Sequence, residues 1–474
     1  MRAESGPPKS LSGALVAGIS ADGTVTYQSV PEVHTHVTNP YRRYRVLWPD
    51  QFGLARGKYL PAAAAKAGTS FSTAVFMQGY DQNLYSVEIA ARPDGLPDVS
   101  AHCSLAEARP GWEPETGVVI ADLFYGQEPY PIAPRQALKD SITMWNELDV
   151  NPRVGLSITG YVMQAGEKGE WVPIETPSSY LYGTGALIDP SGLLYDIMAM
   201  AEGSGIDVES VSADLDRAQF EISLPVADPL HTVDGLFLIR ELARELASER
   251  DLRITFLPKP IADRAGNSLH VSLAFEDDDR ENLFFDTQAP DGLSSLARTC
   301  IGGMLRHHEA LTAFCAPTVN SYKRLRQGEI VGLRPRWGYD HRFATVRVPP
   351  TRGPETRLQH RLADGSANPY LVVAALLQAA RMGDKSRINP GKSLNDHRDD
   401  EPDDGRTTPE TLLAAVEALQ ADGELSSSMG PRLVDNFCQL KTIEWNNFVD
   451  SEPRWVDKID EFSEWEAVHY LPFH

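Results

Sequence analysis

The sequence reads APTVNSYKRL at 316–325, RWGYDHRFATVRVPP at 336–350 and ETRLQHRLADGSANPYL at 355–371. These segments are dense in arginine, and five arginines matter most: Arg324, Arg342, Arg347, Arg357 and Arg361. Arg357, Gln359 and Arg361 alternate, so on a strand their side chains point to one face. Two guanidinium groups on one face suit bidentate binding of a carboxylate or phosphate. We therefore expect an anion-binding site on this strand.

Composition narrows the class of protein. The 474 residues carry a formal net charge of −22, with 42% hydrophobic and 23% charged residues, an ordinary balance for a soluble globular protein. The negative charge argues against nucleic acid or an anionic membrane as the main partner. Four cysteines without a CxxC pair indicate a reducing compartment. Since no apolar run reaches ~18 residues, we expect a cytoplasmic protein without a membrane span.

Turn residues and apolar runs divide the chain into domains. Residues 1–35 are rich in Ser, Gly, Pro and Ala and are expected to be flexible. Apolar runs then predict strands at 44–50, 56–60, 73–77, 85–90 and 117–124. A Pro-rich link at 126–135 follows. The expected division is a strand-rich domain at 36–128 and a larger domain at 129–474.

The larger domain mixes helices and strands, so the predicted class is α+β. Helical spacing predicts helices at 134–147, 190–201, 232–249, 293–312, 368–382, 409–421 and 431–447. Apolar runs predict strands at 155–163, 253–260 and 269–275. The acidic run at 396–405 is expected to be a solvated loop.

Seven segments of the chain occur in a telling order. They are WPDQFGLARGK, GLSITGYVM, DLDRAQFEIS, ITFLPKPIADRAGNSLHVSLAF, APTVNSYKRL, WGYDHRFATVRVP and RLADGSANPYL. The series resembles type I glutamine synthetases, including relatives that join glutamate to amines and polyamines. The resemblance runs from about Tyr44 to the final SEWEAVHYLPFH. Each segment alone is weak, but seven in one order, with NSYKRL and ANPYL intact, are specific for the family.

The resemblance implies an N-terminal β-grasp-like domain and a C-terminal catalytic domain of the glutamine synthetase/guanido-kinase type. It also implies a homo-oligomer, a double-ring dodecamer with active sites between neighbouring subunits. The family uses ATP and two or three Mg²⁺ or Mn²⁺ ions to activate a glutamate carboxylate as an acyl phosphate, which an amine then attacks. We therefore expect a small-molecule carboxylate and an amine as substrates.

The same resemblance assigns roles to residues of this chain. Asp50 matches the aspartate that accepts a proton from the amine, and Arg342 matches an arginine at the phosphates. The substrate-binding positions are Arg324, Arg361 and Gly266. The nucleotide-binding positions are Arg347 and Arg357.

The family's metal ligands are only partly retained. One set, here called the first metal position, comprises Thr159, Asp214 and Glu221, of which two are carboxylates. The other, the second metal position, comprises Ser157, His270 and Gln359. Family glutamates are replaced at Ser157, Thr159 and Gln359, while the matched arginines all remain. Mg²⁺ favours hard anionic oxygen ligands, so the resemblance implies a pocket more positive than the family's and poorer at holding a divalent ion.

Two further departures bear on the substrate. In the family, the carboxylate at the position of Thr159 lies near the ammonium group of glutamate, and Ala265 replaces a substrate-binding asparagine. We therefore expect a carboxylate or phosphorylated ligand that lacks this ammonium group.

Structural readings compete with these roles. His270 on a strand can be a structural histidine, and Glu221 can pair with an arginine. Asp50 follows Pro49 and can be a turn former. The arginines can form ion pairs, although unpaired buried arginines are costly without a ligand anion. Lys323 is expected to be solvated.

Three hypotheses follow. The first is a divergent ATP-dependent ligase that forms a γ-glutamyl-amide type of bond with a reduced metal site. The second is a non-catalytic, ring-forming or ligand-sensing homologue. The third is metal-independent acyl or amide transfer, in which arginines and Asp50 stabilise an oxyanion and move a proton.

Overall fold

The computed structural model describes residues 15–19, 25–29, 41–87, 95–167, 169–327, 333–396, 405–458 and 460–474. Within the stretch expected to be flexible, it describes only two strands, which pair antiparallel. Most of the expected acidic loop at 396–405 lies outside the described residues.

The structure mixes strands and helices throughout, which confirms the α+β class. The strands are β1 (Leu15–Ile19), β2 (Val25–Ser29), β3 (Arg43–Pro49), β4 (Ala55–Pro61), β5 (Thr69–Ser72), β6 (Asp98–His102), β7 (Arg109–Pro110), β8 (Thr116–Ile120), β9 (Asp122–Tyr125), β10 (Glu128–Pro129), β11 (Asn151–Ala165), β12 (Trp171–Pro173), β13 (Ser210–Ala213), β14 (Gln219–Ala227), β15 (Leu252–Thr255), β16 (Leu269–Glu276), β17 (Trp337–Tyr339), β18 (Val346–Val348) and β19 (Leu358–His360). The helices are α1 (Ala62–Ala65), α2 (Pro134–Asn146), α3 (Leu193–Gly203), α4 (Pro229–Ser248), α5 (Ser295–Arg306), α6 (His308–Cys315), α7 (Val319–Gln327), α8 (Pro369–Lys385), α9 (Leu412–Ala421), α10 (Gly423–Met429), α11 (Pro431–Ser451) and α12 (Glu464–His469).

The strands form small N-terminal sheets and one large sheet. Two four-stranded sheets have the orders β4-β3-β8-β7 and β10-β9-β6-β5. The large sheet runs β13-β14-β11-β16-β19-β18-β17, and β12 and β15 also pair with β11. This is the N-terminal sheet domain and larger catalytic domain that the resemblance implied.

Strand β11 is the centre of the large sheet, and its alternating pattern divides two environments. Val154, Leu156 and Ile158 are fully buried apolar side chains of one face. Helices α2 and α4 contact β11, and most apolar side chains of α4 are buried. Ser157 and Thr159 alternate with the apolar residues and therefore point to the opposite face. Burial of one face thus fixes which polar residues line the other.

Helices α5 and α8 cross at very short range because glycine occupies the contact. A Cβ on Gly303 would lie 2.0 Å from the Ala379 carbonyl oxygen, and one on Gly383 would lie 2.1 Å from the Thr299 carbonyl oxygen. No side chain fits at these distances. The crossing packs α8, which directly follows the arginine-rich segment, firmly into the core.

The C-terminus packs back onto the N-terminal part of the chain. His474 is fully buried, and its Nε2 lies 2.8 Å from the Tyr80 hydroxyl. The Tyr470 hydroxyl donates to Glu444 at 2.6 Å.

In the described part of the chain, no helix is long and apolar enough to cross a membrane.

Three local predictions are wrong. Residues 73–77 form a 3₁₀ helix rather than a strand, because the Ser72 hydroxyl accepts from the Ala74 N–H and caps it. The helix predicted at 293–312 is two helices that meet at His307, whose backbone leaves helical geometry. Residues 85–87 are not in a strand, and the rest of the strand predicted at 85–90 lies outside the described residues.

Lys323 is also not solvated as predicted. It is 4% exposed, and its Nζ forms an ion pair with Glu466, whose carboxylate is fully buried. The reason is the C-terminal helix α12, which brings Glu466 over α7, a contact that local charge patterning does not reveal.

Candidate functional site

Polar side chains form a row across one face of the large sheet. Ser157 on β11 lies directly opposite His270 on β16 and Ser223 on β14. Thr159 lies opposite Glu221. Directly opposed residues of neighbouring strands point to the same side of a sheet. The two metal positions therefore share one face.

The row continues toward the arginines. Ser272, two residues after His270, lies opposite Gln359 on β19, and Gln359 lies opposite Arg347 on β18. Arg361 directly follows β19. The sheet thus carries carboxylates at one end of the row and guanidinium groups at the other.

A cavity of about 710 Å³ lies over this face. Four of the five predicted arginines line it: Arg324, Arg342, Arg347 and Arg361. Gly266 and the metal-position residues Ser157, Asp214, Glu221, His270 and Gln359 line it as well. The structure therefore brings most of the predicted site residues to one cavity.

Three predicted residues do not line the cavity, namely Arg357, Thr159 and Asp50. The Arg357 guanidinium donates to the Thr351 hydroxyl and the Glu355 carbonyl, both at 3.2 Å, because Arg357 precedes β19 instead of continuing its face. Thr159 is buried, and its hydroxyl accepts from the Ser268 N–H at 2.7 Å. The predicted role of Arg357 at a nucleotide stays a prediction.

Asp50 does not line the cavity of its own chain. It is fully buried, and its carboxylate accepts from the backbone N–H groups of Phe52 and Leu54 at 2.9 and 3.0 Å. It also forms a 2.8 Å ion pair with Arg56. These contacts are those of a turn former, and the proton-acceptor role stays a prediction.

Arg324 is a buried cation, and the charge of the buried Asp364 partly offsets the effect of burial on its pKa. It is 5% exposed, and its Nη1 donates to the Leu362 carbonyl at 2.9 Å. Among the described residues, no carboxylate oxygen lies within ion-pair distance of it. Burial lowers the pKa of Arg324. A buried, charged guanidinium of this kind is stabilised by an anion that enters the cavity.

Gln359 joins two arginines. Its side-chain oxygen accepts from Arg347 Nη1 and from Arg361 Nη1, each at 3.0 Å. We call this arrangement the Gln359 bridge. Arg347 also donates from Nε to the Asp340 carboxylate at 3.0 Å, so the competing structural role, an ion pair, applies to this arginine. Arg361 Nε donates to the Arg342 carbonyl at 3.1 Å.

The charge on Arg361 is crowded. It is 6% exposed, and burial, followed by the nearby guanidinium of Arg347, lowers the pKa of Arg361 to about 10. It remains cationic at neutral pH. An anion between these groups relieves their repulsion, so the arginine end of the cavity is electrostatically prepared for one.

At the carboxylate end of the cavity, burial disfavours the negative charge of the acids. Burial raises the pKa of Asp214, and burial together with the Asp214 charge raises the pKa of Glu221. At His270, burial and the charge of Arg361 hold the pKa well below its usual range. His270 is therefore neutral, and its ring has no hydrogen-bond partner among the described residues.

Whether a divalent ion fits at the two metal positions depends on the ligand atoms present there. In the described part of the chain, no three His, Cys, Asp or Glu side chains are close enough to hold a metal ion. At the first metal position, Asp214 and Glu221 still offer hard oxygens and fit an ion that completes its coordination with ligand oxygens and water. At the second, the Gln359 oxygen already accepts from two cations, and Ser157 bonds to Ser223 at 2.8 Å. The second position does not fit a divalent ion.

Gly266 has a steric reason to be glycine. A Cβ there would lie 2.8 Å from the Pro258 carbonyl oxygen and 2.9 Å from Cγ of Arg324. Any side chain would displace the stem of Arg324. Gly266 thus positions the arginine that faces the cavity.

Sequence reasoning missed several lining residues, including Leu181, Tyr182, Lys259 and Arg264. Tyr182 is 67% exposed and has a positive φ of 61°. The glycines at 183 and 185 that follow it are typical of a turn, but they give no sign that the turn reaches the cavity. Lys259 stands in the quoted segment ITFLPKPIADRAG, where its charge was the available signal.

Comparison with known proteins identifies the family. The model of the glutamine synthetase catalytic domain matches residues 131–458. The chain belongs to the glutamine synthetase family. A glutamine synthetase of Halobacterium salinarum is 30% identical over 71% of this chain and 74% of its own length. One from Pyrococcus abyssi is 28% identical over 94% of this chain and 99% of its own.

Solved structures of similar proteins share this fold. The complex of GmaS with ADP is 28% identical, with a TM-score of 0.76 over 92% of this chain and 97% of that chain. GmaS without ligand has a TM-score of 0.74 at the same identity, over 90% of this chain and 96% of its own. Glutamine synthetase family membership places the chain among amide-forming, ATP-dependent carbon–nitrogen ligases.

Proposed function

We propose that this chain joins a small-molecule carboxylate to an amine through an acyl phosphate, with a reduced metal site. The observation that carries the proposal is the convergence of Arg324, Arg342, Arg347 and Arg361 on one cavity. A transferring phosphoryl group and a carboxylate both need such cationic partners. The similarity to GmaS, a γ-glutamylmethylamide synthetase, supports an amine as the nucleophile.

The chemistry takes two steps. A carboxylate oxygen of the acid attacks the γ-phosphorus of ATP, so that an acyl phosphate forms and ADP leaves. The amine nitrogen then attacks the acyl carbon, inorganic phosphate leaves, and the nitrogen loses a proton. Arg361, predicted to bind the substrate, acts with Arg342 and Arg347 to neutralise charge on the acyl phosphate, while Arg324 orients the acid.

The proposal includes a divalent ion only at the first metal position. Asp214 and Glu221 would hold it together with oxygens of the nucleotide. Bound there, the ion would supply charge neutralisation worth several kcal/mol to phosphoryl transfer. The remaining neutralisation falls to the arginines.

The acid is expected to lack the α-ammonium group of glutamate. The position at which the family binds that group is Thr159, whose hydroxyl is occupied by the Ser268 N–H. Ala265 offers only its backbone, and its carbonyl accepts from the Tyr161 hydroxyl at 2.9 Å. Neither residue presents a carboxylate to an ammonium ion.

The test is turnover with ATP, Mg²⁺ or Mn²⁺, and a panel of carboxylic acids and amines. ADP and phosphate should form in equal amounts, and only when both an acid and an amine are present. Mass spectrometry should then find the amide. If no pair across a broad panel releases ADP, although anions still bind the cavity, the ligase proposal is wrong and the non-catalytic hypothesis replaces it.

Asp50→Asn separates two roles of that residue. If Asp50 accepts the amine's proton, turnover falls while substrate binding is retained. If it only forms the turn, the Tm falls and turnover per folded molecule is unchanged. The expected homo-oligomer is tested separately by light scattering of the purified chain.

A further inference from the structure

The lining of the cavity is cationic although the chain as a whole is strongly acidic. Six lining side chains are basic: Lys259, Arg264, Arg324, Arg342, Arg347 and Arg361. Three are acidic, namely Asp214, Asp263 and Glu221. Against a chain of net charge −22, this local excess of positive charge selects an anionic ligand.

The positive charge is densest around the Gln359 bridge. One neutral oxygen holds Arg347 and Arg361 at 3.0 Å each, and neither guanidinium is neutralised by that contact. A carboxylate at residue 359 would instead pair with both arginines and cancel much of their charge. The amide therefore fixes the two arginines in place without cancelling their charge, although Asp340 already pairs with Arg347.

We propose that the Gln359 bridge is a preformed clamp that binds a phosphoryl group of the ligand without a divalent ion. A phosphate group offers three acceptor oxygens and close to two negative charges, which suits several converging guanidinium groups. A single carboxylate fills only one guanidinium fork. The clamp lies at the second metal position, whose remaining donors do not fit an ion.

Gln359 is therefore a positioning residue and the arginines are the binding groups. The inference deepens the proposed function, because it assigns the metal-free half of phosphate binding to this clamp. Its test measures binding alone, so it can fail while turnover is present, and it can hold while turnover is absent.

The experiment uses the full chain with pyrophosphate as probe and malonate as the carboxylate comparison, both in EDTA. Calorimetry should show that wild-type protein binds pyrophosphate at least about tenfold more tightly than malonate. Gln359→Glu should weaken pyrophosphate binding by about tenfold or more, because its carboxylate competes for both arginines. The matched control, Gln288→Glu, adds the same charge at an exposed glutamine outside the cavity and should bind as wild type.

Thermal melts distinguish positioning from folding damage. Without ligand, Gln359→Glu should melt at or above the wild-type Tm, since it gains ion pairs, yet pyrophosphate should raise its Tm less. Gln359→Ala should keep the arginine charge and lose only part of the affinity. The inference is overturned if pyrophosphate binds only with Mn²⁺, if malonate binds equally well, or if Gln359→Glu binds as tightly as wild type.

Discussion

The two metal positions lie in one row on one sheet face, yet they have opposite electrostatic character. At the first, Asp214 and Glu221 are two acids whose burial raises their pKa values. At the second, Gln359 contacts two guanidinium groups, and His270 is held neutral. Both positions face the same cavity. The difference shows that one scaffold can neutralise ligand phosphate by two means, a cation held by acids or cations supplied by the chain.

The largest expected effect is at the arginine end. Arg361→Ala should lower kcat/KM by about 10²–10³-fold, the range seen when one charge-stabilising donor is removed. Arg361→Lys keeps the charge but loses the planar fork, so it should recover less than about tenfold of that loss. Arg280→Ala, at an exposed arginine, is the control. Full activity of the lysine variant would show that charge alone suffices and that the clamp geometry is irrelevant.

The next effect is at the carboxylate end. With ADP present, the double variant Asp214→Asn and Glu221→Gln should bind Mn²⁺ at least about tenfold more weakly. Ser157→Ala should change Mn²⁺ affinity by less than about twofold, because the second position is not expected to hold the ion. Electron paramagnetic resonance of free Mn²⁺ measures both. A strong effect of Ser157→Ala on Mn²⁺ affinity would place an ion at the second metal position. It would contradict the conclusion that only the first metal position holds an ion.

Gly266→Ala tests how the cavity positions Arg324. Its Cβ meets Arg324 Cγ at 2.9 Å and a backbone oxygen at 2.8 Å, so overpacking should cost about 1–3 kcal/mol of stability. The KM for the acid should rise by about five- to tenfold, since the arginine moves. Gly423→Ala has nothing within 4 Å of the new Cβ and serves as the control. An unchanged KM would mean that Arg324 does not orient the acid.

Much of this arrangement was accessible from sequence, for identifiable reasons. The mixture of predicted helices and strands indicated the α+β class, and the family segments identified most of the residues that line the cavity. What failed depended on contacts between distant segments. Lys323 was predicted to be solvated, but its Nζ contacts the carboxylate of Glu466, which lies 143 residues later in the chain.

The residues around β19 show the same dependence on distant contacts. Alternation placed Gln359 and Arg361 on the cavity side of the sheet, but Arg357, which lies just before β19, donates to Thr351 instead of continuing that face. From the sequence we predicted the loss of a metal ligand at Gln359. The sequence did not show that the replacing amide would bond to both neighbouring arginines, because that depends on the register of β18 against β19.

The smallest expected effect is on stability against pH. The raised pKa of Glu221 means that the folded state favours its protonated form, so folding loses stability as pH rises through the folded pKa. Glu221→Gln removes this cost. Its Tm should match wild type below the ordinary carboxyl pKa of 4.5 and exceed it by about 1–3 °C at pH 7. Glu417→Gln, at an exposed glutamate, should show no such trend. A Tm gain that is constant with pH would contradict the assigned cause.

The central claim is that arginines, not a second ion, occupy the Gln359 end of the cavity. The most direct measurement is the number of Mn²⁺ ions bound per chain at saturating ADP, counted by electron paramagnetic resonance. We expect about one ion, bound at Asp214 and Glu221 with ADP oxygens. Two tightly bound ions per chain, one of them lost in Gln359→Ala, would contradict it.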